Sequence, residues 1–159
     1  MANKKVKVVN TTTSRVSVDV PSVPFKHEWL GQNAFFMIPQ ETLEQILFDP
    51  GVEYMFKTGI LYIEEMETKQ ELGLEPEEAK EPVNIIVLTD KERRYYMVNM
   101  PLDEFKKKVD QLNREQATLL AEYAIANRLA DIEKSDYLKE KTGRDIYQAI
   151  RLSRQNQEE

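Results

Sequence analysis

The 159-residue chain has room for one domain or two small ones, and its 41% hydrophobic and 31% charged residues allow a modest core under a heavily charged surface. It has no cysteine and one histidine, which excludes disulfides, thiolate chemistry and His–His metal pairs and suits synthesis in a reducing cytosol. The net charge of -6 sits between Glu64 and Glu81, where eight Glu face two Lys, while acids and bases balance on either side, so neither flank offers the basic field of a dedicated nucleic-acid binder.

Lys5–Asn10 reads as a strand, with Val6 and Val8 on one face and Lys5 and Lys7 on the other. The hydroxyl run Thr11–Ser14 reads as a turn or hairpin loop, because such side chains bond nearby backbone. Arg15–Val20 alternates again, with Val16, Val18 and Val20 facing one way, until Pro21 and Pro24 end the pattern. Phe25–Leu30 and Ala34–Ile38 read as further strands around the turn tripeptide Gly31-Gln32-Asn33. Pro39 opens a short helix bearing Leu43, Ile46 and Leu47, and Asp49-Pro50-Gly51 breaks it. Val52–Lys57 forms another helical turn closed by Thr58-Gly59, and Ile60–Ile63 reads as a strand.

Met66–Leu72 could form a helix ending at Gly73, while the charges and prolines of Glu75–Pro82 mark a surface connection. The whole stretch 64–82 is therefore expected to be a solvated acidic joint. Residues 83–88 are β-branched and short enough for a strand or an apolar docking arm. Thereafter the period becomes helical. Thr89–Glu92 has the form of a capping box. Pro101 precedes Leu102, Phe105, Val109 and Leu112 at helical spacing. Asn113 caps a helix whose apolar stripe is Ala117, Leu120, Ala121, Ala124 and Ile125. Ser135–Lys141 and Arg144–Arg154 make two more helices, with Ile146, Ala149 and Ile150 turned inward.

The expected fold is α+β: a strand-rich module over 1–63, built as a hairpin or small antiparallel sheet with one or two short helices, then the connection 64–82. A helical bundle of four to five helices over 83–154 and a frayed tail over 155–159 complete it. The basic N-terminus lacks the apolar segment of a signal peptide, and no apolar run approaches the roughly 20 residues of a membrane span.

Catalytic constellations are not legible. His27 stands between Lys26 and Glu28 and reads as a structural or solvated strand position. The five glycines never cluster into a phosphate-cradling loop. The paired carboxylates Glu64-Glu65 and Glu77-Glu78 lie in hydrophilic sequence that would not push their pKa values apart. The expectation is a non-enzyme without cofactor, metal or small-molecule substrate. Its contact residues are expected among Val6, Val8, Trp29, Tyr54, Phe56 and Tyr62, because a module of about 60 residues buries its apolar surface incompletely by itself. The alternative is a small intracellular regulator of a nucleic-acid machine, with Arg93, Arg94, Arg144 and Arg151 as contacts. Against it, Arg93 and Arg94 read as wet neighbours of packing Tyr96 and Met97, and Asp145 stands where a recognition helix would approach bases.

The stretch Asp49–Ile63, with Glu71-Leu72-Gly73-Leu74-Glu75-Pro76 and Asn84–Thr89, resembles small virion structural or assembly proteins of tailed bacteriophages. That resemblance covers most of residues 5–154 and carries no signature motif. It implies a stoichiometric part of a capsid, neck or tail, made in the bacterial cytoplasm and located in the virion. Its implied partners are other virion proteins or copies of the same chain, with nucleic acid a lesser expectation.

Overall fold

A computed structural model describes residues 4–158, with side chains to residue 155. Residues 1–3 and Glu159, the ends of the basic N-terminus and of the expected tail, lie outside the described residues. The architecture is α+β, with antiparallel strands in the first part and a run of helices in the second. The chain divides into two compact units, one up to Val87 and one from Leu88.

In the first unit, β1 (Lys5–Asn10) lies between β4 (Phe35–Pro39) and β5 (Leu61–Tyr62), both antiparallel to it. The register sets Val6 against Ile38 and Val8 against Phe36, while pairing with β5 is limited to Val9–Tyr62 and Asn10–Leu61. A second sheet is the hairpin of β2 (Val16–Val20) and β3 (Phe25–Trp29), with Val16 opposite Trp29. The hairpin reading of Thr11–Ser14 is therefore corrected to a turn between sheets. The buried Asn10 side chain causes the redirection: its Oδ1 accepts from the Thr12 N–H at 2.9 Å, and its Nδ2 donates to the Ser14 carbonyl at 2.8 Å.

Helix α1 (Gln40–Ile46) follows Pro39, and α2 (Pro50–Thr58) begins at the expected breaker. Asp49 is its N-cap, accepting from Gly51 and Val52, with Pro50 at the first turn; Gly59 ends it at φ 82, a conformation glycine adopts without Cβ strain. Val6, Val8, Ile38 and Leu61 of the larger sheet share one core with Val16, Val18, Val20 and Trp29 of the hairpin and with Leu43, Ile46, Val52 and Phe56 of the helices.

The acidic stretch belongs to this unit, which corrects the expected free joint. Helix α3 (Met66–Glu71) buries Thr68 and Lys69, and Leu74 and Ile85 join the core. Glu75 is 3% exposed, and its carboxylate accepts from the backbone N–H groups of Val83, Asn84 and Ile85 at 2.8–2.9 Å. Three donors supply what water would otherwise provide, so this carboxylate tolerates burial. Residues 83–88 join no sheet; the glutamate holds their first half instead.

The second unit packs α4 (Asp90–Val98), α5 (Leu102–Gln111), α6 (Arg114–Ala126), α7 (Ile132–Thr142) and α8 (Ile146–Glu158). The capping box at Thr89 and Glu92 forms in both directions, and Asn113 caps α6. Helix α6 touches α4, α7 and α8, burying Ala117, Leu120, Ala121 and Ala124 completely; small residues let neighbours approach closely. Gly143 ends α7 at φ 78. Helix α8 runs to Glu158, so the frayed tail expected from 155 is helical through that residue.

Candidate functional site

The most exposed concentration of apolar side chains on regular structure is β4, the edge of the three-stranded sheet. Asn33, in a left-handed conformation at φ 69, donates its N–H to the Asn10 carbonyl at 2.9 Å and directs the chain into the strand. Asn10 N–H donates to the Ala34 carbonyl, and Gln40 N–H donates to the Lys4 carbonyl, at 2.9 and 2.8 Å. These two bonds bracket the ladder and fix its phase. Residues 34, 36, 38 and 40 direct their backbone groups at β1, so those of Phe35 and Met37 point away from the sheet.

Side chains alternate with the same period. Ile38 is fully buried on the inner face, where Phe36 stacks on His27 with ring centroids 3.8 Å apart and planes at 10°. Trp29 meets that His27 edge-on at 4.7 Å and donates its indole N–H to the Val8 carbonyl at 3.0 Å. On the outer face Phe35 is 58% exposed and Met37 41%, and the Lys7 ammonium lies 4.9 Å from the Phe35 ring. Edge strands are ordinarily blunted by charge, proline or a bulge. Phe35-Phe36-Met37-Ile38 contains no charge and no proline until Pro39.

The residues expected to make contacts are distributed differently. Val6, Val8, Trp29 and Phe56 are core, and β1 is the middle strand, paired along Lys5–Val9 with β4 and at Val9–Asn10 with β5, so its valine side chains are not available as contacts. Tyr62 is half-buried, with its hydroxyl accepting from the buried Lys69 Nζ at 2.9 Å. Tyr54 alone of the six is exposed, on α2. His27 is structural, through its aromatic stack. Phe35 and Met37 escaped sequence reading because a continuous apolar run resembles a buried strand. The register that exposes them, with Met37 beside Lys7 and Phe35 beside Val9 on the outer face, comes from pairing with β1 and is not written in the run itself.

In the second unit, an open cleft of about 610 Å³ is lined by Val98, Met100, Leu102, Ile132 and Lys134 among others. Lys134 is buried and donates from Nζ to the Tyr96 carbonyl at 2.7 Å, so it satisfies the end of α4; burial holds its ammonium below the usual lysine pKa, against the opposing pull of Asp131. Arg93 is 5% exposed and bound to Asp90 at 2.8 Å, which corrects its expected solvation and removes it as a phosphate contact. Arg94 on α4, Arg144 before α8 and Arg151 on α8 are exposed. Among the described residues no three histidine or carboxylate side chains converge on a metal-sized site, and no helix is long and apolar enough to cross a membrane.

No family model, curated protein or solved structure matches the chain. The candidate interface therefore rests on its own geometry.

Proposed function

We propose that the protein is a non-catalytic assembly component that works through protein–protein contacts at the β4 edge of its first unit. One observation carries this reading: an uncharged strand edge, with Phe35 and Met37 exposed beside outward backbone groups. An extended segment that pairs there gains main-chain hydrogen bonds and covers the apolar side chains at once, which is strand addition. The resemblance to virion proteins of tailed phages supports a capsid, neck or tail as the assembly, with other virion proteins or copies of this chain as neighbours.

Quantitative mass spectrometry of purified phage particles tests the proposal. The expected result is incorporation at a fixed stoichiometry, reduced at least tenfold by Phe35→Lys with Met37→Lys. Absence from purified particles, or incorporation indifferent to that double substitution, overturns it.

A further inference from the structure

Resting on that reading, we propose that the segment seated on the β4 edge is β4 of a second copy, which makes a two-fold dimer with a continuous six-stranded sheet. Only Phe35 and Met37 within Phe35–Ile38 turn backbone groups outward. An antiparallel partner that is the same strand uses both residues fully in one register, with Phe35 opposite Met37 of the other copy and Met37 opposite its Phe35. That register forms four backbone hydrogen bonds and places the two-fold axis at Phe36, which faces its own counterpart. Shifting by one residue to either side aligns Phe35 with itself or Met37 with itself and retains fewer bonds near the axis.

Side chains agree with this register. On the outer face each Phe35 ring meets a Met37 thioether, a favourable sulfur–aromatic pair. On the inner face the two Phe36 rings meet at a non-hydrogen-bonded position, where strands approach most closely and aromatic pairs add most. Charge allows the pairing as well. Lys5 and Lys7 stand one strand in from the edge on β1, and the Lys7 ammonium reaches out over the Phe35 ring, whose face offsets part of its charge. A foreign strand would have to match an edge that offers no charge to select it, whereas a second copy matches by symmetry.

Sedimentation velocity of the full chain from about 1 to 200 μM, together with oxidative cross-linking, tests the dimer. The wild-type protein should show a concentration-dependent monomer–dimer equilibrium. Phe35→Lys with Met37→Lys should weaken it at least a hundredfold while leaving the fluorescence of the buried Trp29 unchanged. Because the chain lacks cysteine, Phe36→Cys should cross-link to itself across the axis at least ten times faster than Glu53→Cys on α2. A wild-type chain that stays monomeric throughout overturns the proposal, as does a dimer that survives the double lysine substitution. A monomer whose Phe35 and Met37 amides become protected only on adding another particle protein identifies a foreign strand and overturns it too. A monomeric chain found in purified particles removes the second copy alone, and a dimer absent from particles removes only the assembly role.

Discussion

Glu75 shows how far one residue can depart from the character of its surroundings. It sits in the most acidic stretch of the chain, yet its carboxylate is enclosed by three backbone N–H donors and fastens residues 83–85 to the first unit. Glu75→Ala leaves those donors without their acceptor and is expected to cost about 3 kcal/mol, in the range for charge-assisted bonds lost from a dry site. Urea unfolding followed by Trp29 fluorescence measures this directly, because the only tryptophan lies in the first unit's core. A loss below about 1 kcal/mol would show that water replaces the carboxylate there. Nothing in the residues flanking Glu75 announces its partners; they come from the backbone eight to ten positions away, which composition does not encode.

At the scale of elements, legibility followed the range of the interactions. The capping box of α4, the asparagine cap of α6 and the glycine ends of α2 and α7 are local devices, and the sequence displays them in full. The end of α4 is different, since its donor, Lys134, arrives from α7. Lys134→Met should cost about 1 kcal/mol, since a carbonyl at the helix end loses its donor while the burial of a charge is relieved. The pH dependence gives a sharper check. With its folded pKa below the unfolded value, Lys134 holds fewer protons in the folded chain between the two values, so its contribution to stability rises with pH through that window, toward 10.5. Tyr96, whose hydroxyl pKa is raised by burial and by Glu92, acts oppositely above pH 10, but it is common to both proteins. Helical circular dichroism in urea at pH 8 and pH 10 should therefore show the advantage of wild type over Lys134→Met growing. A shrinking advantage contradicts the depressed lysine.

For the whole molecule, the α+β division was legible because the apolar period changes from two to helical along the chain. The place of the boundary was not. Composition put it in the acidic stretch, whereas packing puts it at Val87–Leu88, because Ile85 is core to the first unit and Glu75 secures its approach. The position of β1 was equally hidden, since its partners lie about 30 and 50 residues downstream and register over such distances leaves no local trace. A fragment of residues 1–87 should unfold cooperatively by Trp29 fluorescence. A fragment of residues 1–82 should be less stable by about 3 kcal/mol or more, having lost a buried isoleucine and the acceptor's partners. Equal midpoints for the two fragments would return the boundary to the acidic stretch.

The middle position of β1 also has a consequence in time. The strand precedes its partner β5 and the closing residue Ile85 by some distance along the chain, so they are synthesised well after it. At elongation rates of about 5–20 residues per second, Val6 and Val8 wait roughly 4–15 s for the unit that covers them to be complete. The helices of the second unit pair with near neighbours and need no such delay. Nascent chains halted before residue 85 should consequently be the species that chaperones hold, and slower translation of β1 to α3 should lengthen that hold without changing the folded product.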